Sequence, residues 1–189
     1  MNTKFFLTAG TALALIAMEA LCSIPMWGQN RNYLYDRGYK ANAQASALIS
    51  DGNALGTLST SHGYSFGNGL YLGGGIGAGF STRDILNKKN RVMIPVFMEI
   101  KYSFLKNSLA SPFLDMIAGG AADYSAYGTG YFLQPSAGVD IWKFSISVGL
   151  GRYAMNYSTC DGKKNGAPAI IGSTLTDTGI SISLAYNFR

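Results

Sequence analysis

Apolar and polar residues alternate along most of this chain with a period of two residues. Residues 91–104 show the pattern most clearly. One face carries Val92, Ile94, Val96, Met98, Ile100, Tyr102 and Phe104. The opposite face carries Arg91, Glu99, Lys101 and Ser103. Strict alternation of this kind predicts a β-strand whose two faces meet different surroundings. Pro95 lies within this segment and has no backbone N–H to donate to a neighbouring strand. We therefore expect a bulge or local irregularity there.

Eight segments of this kind follow one another, separated by turn residues such as Gly67-Asn68-Gly69. They cover residues 39–49, 55–66, 70–80, 91–104, 112–124, 131–142, 143–157 and 180–189. Strands of soluble proteins average about 5–6 residues, whereas strands that cross a membrane need about 9–11. Short connections alternate with longer ones, of which 81–90 and 158–177 are the longest. This order predicts an up-and-down meander with short periplasmic turns and longer external loops.

Aromatic residues gather at the ends of the predicted strands. The closing strand, for example, ends its apolar face on Tyr186 and Phe188. The predicted periplasmic girdle comprises Tyr64, Phe66, Tyr102, Phe104, Phe144, Tyr186 and Phe188. The predicted external girdle comprises Phe80, Tyr124, Tyr127, Tyr131, Tyr153 and Tyr157. Two such belts are typical of outer-membrane barrels.

Composition indicates which face points inward. Only 13% of the residues are charged, whereas a water-exposed surface carries about 25–35%. The polar faces consist mainly of Ser, Gly, Asn and Gln, which suit a narrow lumen. We therefore predict an all-β fold, an eight-stranded antiparallel up-and-down transmembrane β-barrel. The charged candidates for its lumen are Lys40, Glu99, Lys101, Asp115, Asp123 and Asp140. A soluble, lipocalin-like ligand-binding barrel is the alternative with the opposite facing.

The N-terminus predicts export. Lys4 precedes an uncharged run at residues 5–18, which has the length of a signal-peptide core and is too short to span a membrane as a helix. We expect a signal peptide at residues 1–28 and a barrel domain at residues 29–189. Cys22 lacks a lipobox, because Glu19 and Leu21 occupy the positions before it. Cleavage would leave Cys160 as the one cysteine, with no internal disulfide.

The chain resembles the small eight-stranded outer-membrane β-barrel proteins of Gram-negative bacteria, the group that includes the membrane domain of outer-membrane protein A. The segments that carry the resemblance are residues 58–64, 94–97 with 102–104, 135–139 and 180–188. It extends from about residue 39 to residue 189. The resemblance implies that the last strand, with Tyr186 and Phe188, is the signal recognised by the barrel-assembly machinery. Arg189 follows that aromatic and displaces the signal by one residue.

Candidate chemistry is sparse. Gly73, Gly75 and Ala78 match a dinucleotide fingerprint in spacing, but the two-residue period continues through them and no helix follows. We interpret these glycines as making room in a tight lumen. His62 is the single histidine. Nearby serines and Glu99 are candidates for a lipid A-modifying site with it. However, His62 lies on the same face of its strand as Leu58 and Tyr64, which is the predicted lipid face. We assign no catalytic, cofactor-binding or metal-binding residue.

The sequence favours a structural or surface-interacting outer-membrane protein without enzymatic activity. A narrow, porin-like channel remains the main alternative. Expected partners are outer-membrane lipids and lipopolysaccharide, the barrel-assembly machinery and periplasmic chaperones. A net charge of +5 with dispersed basic residues does not predict nucleic-acid binding. The basic residues of the predicted loops are ordinary solvated charges or contacts to lipopolysaccharide phosphates: Arg83, Lys88, Lys89, Arg91, Lys163 and Lys164.

Overall fold

The computed structural model describes residues 32–50, 53–82, 91–106, 108–124, 128–164 and 167–188. For residues 158–164 and 167–173 it describes the backbone alone. The predicted signal peptide, Tyr127, Arg189 and the predicted loop residues Arg83, Lys88 and Lys89 lie outside the described residues. The side chains of Cys160, Lys163 and Lys164 also lie outside them.

Eight antiparallel strands of the described chain form one closed barrel in which each strand pairs with its neighbours in sequence. The strands are β1 (Gly38–Ser50), β2 (Asn53–Ser65), β3 (Leu70–Ser81), β4 (Arg91–Ser103), β5 (Ala110–Asp123), β6 (Gly128–Ile141), β7 (Phe144–Lys164) and β8 (Ala167–Phe188). Pairing of β1 with β8 closes the barrel, from Ala41 opposite Phe188 to Ile49 opposite Ile180. The predicted fold class is confirmed. The described residues include no helix long and apolar enough to cross a membrane.

The polar faces of the strands point inward and the apolar faces point outward. Burial alternates at every residue of β4, from buried Arg91 to buried Ser103. Outward Val96 and Met98 are more than half exposed, whereas inward Glu99 is 3% exposed. This is the reverse of a soluble barrel, and it suits an apolar band in contact with lipid. The soluble, lipocalin-like alternative is therefore wrong.

Pro95 interrupts one ladder without shifting its register. Pairing between β3 and β4 skips Pro95 and resumes with the same offset, because Ile76 lies opposite Val96 and Gly79 lies opposite Met93. On the other side, Pro95 pairs with Ala121 of β5. The irregularity expected at Pro95 is thus a local gap in pairing and not a bulge.

The predicted loop at residues 158–177 is a continuation of the sheet. β7 has 21 residues and β8 has 22, and they remain paired as far as Lys164 opposite Ala167. One irregularity lies between Asp161 and Lys163. Outside a membrane both faces of a hairpin meet water, so pairing there requires no apolar alternation. Because the strands are predicted from the alternation of apolar and polar residues, this extension is not predicted from the sequence.

The periplasmic aromatic residues lie on the outside of the barrel as predicted. Edge-to-face pairs link them, with ring centroids 5.4 Å apart for Tyr64 and Phe66 and 5.1 Å apart for Tyr186 and Phe188. At the external end, Phe80, Tyr124 and Tyr131 are exposed as predicted. Tyr153 and Tyr157 are not part of the external girdle, because they share the parity of inward Ser145 and are 7% and 1% exposed.

Candidate functional site: the filled barrel interior

A short segment before β1 closes the periplasmic mouth of the barrel. This plug, residues 32–35, contains a 3-10 helix (Tyr33–Tyr35). Asn32 caps the helix by accepting a hydrogen bond from the Leu34 amide at 2.9 Å. Tyr33 and Leu34 are buried. The Ser65 hydroxyl donates to the Leu34 carbonyl, and the Tyr35 hydroxyl donates to the Ser103 carbonyl at 3.0 Å. The plug is thus held by two strands of the barrel.

Lys101 joins the plug to the barrel wall. Its Nζ donates to Asp140 Oδ1 at 2.6 Å, to Ser145 Oγ at 2.9 Å and to the Tyr33 hydroxyl at 3.0 Å. The ammonium also lies 3.9 Å from the centre of the Phe113 ring. An ammonium has three donors, and all three are used here. This buried ion pair links β4, β6, β7 and the plug.

Burial raises the pKa of the Tyr33 phenol well above its usual value of 10.0. The positive charge of Lys101 opposes that shift, but burial has the larger effect. Tyr33 therefore remains a neutral phenol at physiological pH. In this form it accepts the hydrogen bond from Lys101 without adding a second negative charge beside Asp140.

A second ion pair lies at the external end of the interior. Arg91 Nη1 is 2.8 Å from Asp123 Oδ2, and both side chains are buried. Arg91 also hydrogen-bonds the Tyr157 hydroxyl, which donates to Asp123 at 3.2 Å. Arg91 is thus a residue of the barrel interior and not, as predicted, one of the basic residues of an external loop. The sequence does indicate this position, because Arg91 lies on the same face of β4 as Glu99 and Lys101.

Apolar side chains fill the interior between this external pair and the middle of the barrel. Phe132 stacks on Tyr153 with ring centroids 4.9 Å apart, and Phe97 meets Phe132 edge-on at 6.4 Å. The described members of this cluster are Leu48, Leu55, Met93, Phe97, Ile117, Ala121, Phe132, Tyr153, Met155 and Tyr157. The sequence predicts small polar residues and a few charged ones in the lumen. The external half is instead an apolar core.

The remaining charged candidates lie in the middle of the barrel. Both oxygens of Glu99 accept from Asn42 Nδ2 at 3.3 Å. Asp115 is buried and lies directly opposite Lys101 in the register of β4 and β5. Lys101 nevertheless pairs with Asp140, so neither Glu99 nor Asp115 has an ion-pair partner within 4.0 Å among the described residues. Lys40 is also buried.

The inward glycines of β3 lie against large side chains, in agreement with the interpretation that they make room in the lumen. A Cβ atom on Gly75 would lie 2.4 Å from the Phe97 ring and 2.4 Å from the Thr60 carbonyl oxygen. A Cβ atom on Gly73 would lie 2.4 Å from the Tyr71 hydroxyl. These glycines therefore provide the space that the aromatic side chains of the interior occupy.

His62 lies outside the barrel, apart from the interior carboxylates. Its Nδ1 is 2.5 Å from the Tyr39 hydroxyl and its Nε2 is 3.1 Å from the Thr60 hydroxyl. Thr60 donates to the Asn42 carbonyl at 3.0 Å, so it accepts from Nε2–H and leaves Nδ1 as the acceptor of the Tyr39 proton. The basic lone pair of the ring is thereby engaged.

No group of three or more His, Cys, Asp or Glu side chains with the spacing of a metal site occurs among the described residues. Tyr186 and Phe188, the residues of the expected assembly signal, lie on the outward face of β8 near the periplasmic mouth.

No family model and no curated protein matches the sequence. Among solved structures, the chain is similar to Neisserial surface protein A (NspA), with 15% identity, a TM-score of 0.47, and coverage of 79% of this chain and 96% of that one. It is also similar to the outer membrane enzyme PagL, with 16% identity, a TM-score of 0.43 and coverage of 78% and 99%.

A third similar structure is a major outer membrane protein from Thermus thermophilus, with 13% identity, a TM-score of 0.41 and coverage of 80% and 100%. At these values the similarities say nothing about activity. The strand order, the closure by β1 and β8 and the outward apolar faces determine the class. The chain has the fold of the small eight-stranded outer-membrane β-barrels.

Proposed function

We propose that the protein is an integral outer-membrane barrel that is closed to solutes, has no enzymatic activity and acts through its external surface. The observation that carries the proposal is the filled interior. The plug closes the periplasmic mouth, Lys101 and Asp140 pair behind it, and the apolar cluster fills the external half. Barrels of eight strands have interiors that side chains can fill completely.

The filled interior argues against the narrow-channel alternative. A conducting path needs polar groups or water along its whole length, and the stacked rings of Phe132 and Tyr153 interrupt any such path. Opening would also require separation of the buried pair of Lys101 and Asp140. Breaking a buried pair costs about 3–5 kcal/mol, which makes an open state rare.

The extension of β7 and β8 supports a role at the cell surface. A tilted membrane strand needs about 9–11 residues, and β7 has 21. The excess of about 10 residues, at about 3.3 Å each, is roughly 30 Å of additional strand length. Its sequence includes Lys163 and Lys164, which suit contacts with the phosphate groups of lipopolysaccharide or with an extracellular partner.

The geometry at His62 supports the absence of enzymatic activity. A histidine that activates a nucleophile needs a basic lone pair and an orienting carboxylate. Nδ1 of His62 is engaged by Tyr39, and no carboxylate of the described chain hydrogen-bonds to the ring. We also propose that Tyr186 and Phe188, on the outward face of β8, are the residues that the barrel-assembly machinery recognises.

Conductance in planar lipid bilayers tests the closed interior. We expect no ohmic steps from the native protein. Replacing the plug residues 32–35 with Gly-Ser-Gly-Ser is expected to give no steps either, because the apolar cluster remains in place. Adding Phe97→Ala and Phe132→Ala to that variant is expected to give steps. Regular steps from the native protein at modest voltage would contradict the proposal and favour the narrow channel.

A further inference from the structure

Four residues that line one small cavity in the middle of the barrel each have a buried side-chain oxygen with no hydrogen-bond partner among the described residues. These oxygens are Oδ1 of Asn42, Oδ1 of Asp115, Oγ of Ser183 and Oδ1 of Asn187. Each of these side chains is more than nine-tenths buried. Glu99 lines the same cavity. An unsatisfied buried polar group destabilises the folded state, so four of them around one space point to a ligand that satisfies them together.

Hydrogen bonds elsewhere determine which way the two amides point. Nδ2 of Asn42 donates to Glu99 at 3.3 Å. Nδ2 of Asn187 donates to Ser145 Oγ at 2.8 Å and to the Lys143 carbonyl at 3.2 Å. With both nitrogens engaged, the amide oxygens are left as the groups that face the cavity. The cavity therefore presents hydrogen-bond acceptors, with the carboxyl groups of Glu99 and Asp115 among its lining.

The nearby ammonium of Lys101 cannot satisfy these oxygens. Its three donors are directed at Asp140, Ser145 and Tyr33. Lys101 is paired with Asp140, so Glu99 and Asp115 are two carboxyl groups of the cavity without an ion-pair partner among the described residues. One water molecule has two protons to donate, too few for the unsatisfied oxygens of Asn42, Asp115 and Asn187 together.

We propose that this cavity, the Glu99–Asp115 site, binds one divalent cation and that Ca²⁺ is the best match. Ca²⁺ takes carboxylate, amide and hydroxyl oxygens in flexible geometry, whereas Mg²⁺ demands near-ideal octahedral geometry and retains several waters. The cavity has room for about one particle of the size of water. That space suits a dehydrated ion held by protein oxygens.

The site would connect opposite walls of the barrel. Asn42 lies on β1 and Asn187 on β8, which meet at the closing seam, while Glu99 and Asp115 lie on β4 and β5. The plug lies on one side of the site and the apolar cluster on the other. The cation therefore enters as the barrel folds and exchanges slowly afterwards.

Folding with and without Ca²⁺ tests the site. The full chain is unfolded in urea with a chelator and refolded in lipopolysaccharide-free detergent micelles over a range of CaCl₂ concentrations. We expect a saturable rise in the urea midpoint and about one tightly bound Ca²⁺ per chain after desalting. Asp115→Asn and the double variant Glu99→Gln/Asp115→Asn are expected to weaken the apparent affinity for Ca²⁺ at least tenfold.

Asp123→Asn is the matched control. It neutralises a buried carboxylate outside the cavity, so it is expected to lower the midpoint while the response to Ca²⁺ remains. No bound Ca²⁺ and no response of the native protein would overturn the proposal, as would an unchanged affinity in the double variant. A saturable response to Na⁺ with none to Ca²⁺ would overturn the assignment of a divalent ion. Failure of Asp115→Asn to refold leaves the stoichiometry of the native protein as the deciding measurement.

Discussion

At the scale of single residues, the interior is organised by pairs of small and large side chains on neighbouring strands. Gly75 and Phe97 are opposite each other in the register of β3 and β4, and the Phe97 ring occupies the space that a side chain at position 75 would need. Gly74, the next residue, points outward and has only an ordinary contact at 3.5 Å. The barrel therefore has no space for a side chain at position 75 but has space for one at position 74.

Gly75→Ala is expected to destabilise the barrel by about 1–3 kcal/mol, the range for inserting a methyl group into a packed interior. The added methyl would meet the Phe97 ring and the Thr60 carbonyl, and the carbonyl belongs to the backbone and cannot move aside easily. Gly74→Ala is the control and is expected to stay within about 0.5 kcal/mol. Urea unfolding in detergent micelles measures both. Equal effects of the two variants would contradict this packing.

His62→Ala is expected to leave the acylation of lipid A unchanged. The ring is engaged by Tyr39 and Thr60 on the outside of the barrel, and its loss removes surface hydrogen bonds that contribute about 0.5–1.5 kcal/mol each. Mass spectrometry of lipid A from cells expressing the native chain and the variant provides the measurement, with Tyr39→Phe as a second variant at the same cluster. A species that the native chain produces and His62→Ala does not would indicate an enzyme.

At the scale of elements, alternation predicted the strands where one face meets lipid and the other is enclosed. The predicted bounds of β1 to β6 agree with the structure to within a few residues. Alternation could not predict the extension of β7 and β8, where both faces meet solvent. The plug was also missed, because a single turn of 3-10 helix has no periodicity and its position depends on distant partners such as Lys101.

Shortening the β7–β8 extension is expected to leave the barrel folded. Tyr157 and Ser173 are opposite each other in the ladder, so joining them through Asn-Gly, which favours a two-residue hairpin turn, preserves the pairs below. We expect a change of less than about 1 kcal/mol in the free energy of unfolding and a clear loss of binding to lipopolysaccharide micelles. A full-length variant with Lys163→Gln and Lys164→Gln separates the role of charge from that of length. Unchanged binding by the shortened chain would argue against a role of the extension in recognition.

At the scale of the whole molecule, the alternation of apolar and polar residues and the low charge content were sufficient to predict the class of the barrel and which faces of its strands point inward. Pairings inside it could not be predicted in the same way. Lys101 lies opposite Asp115 in the register but bonds with Asp140, because the lumen is narrow enough for side chains to reach across it. Tyr153 and Tyr157 point inward for a similar reason, since stacking and a hydrogen bond to Arg91 satisfy them inside the barrel.

A membrane fraction analysed by gel electrophoresis, with and without boiling, tests the whole architecture. A closed barrel with a complete hydrogen-bond ladder resists dodecyl sulfate at room temperature, so the unboiled protein is expected to remain compact and to migrate differently from the boiled one. The protein is expected in the outer-membrane fraction. Recovery in a soluble fraction with no mobility shift would contradict the fold.

The strict alternation of β4 makes errors of strand pairing costly at the moment of insertion. A slip of one residue exchanges the two faces of a strand. In β4 such a slip would turn Glu99 and Lys101 toward the lipid and Val96 and Met98 toward the lumen. A lysine facing lipid at the middle of the bilayer costs about 2–4 kcal/mol. The charged residues of the interior therefore favour the correct register of β4 while the barrel inserts, in addition to their ion pair and hydrogen bonds in the folded barrel.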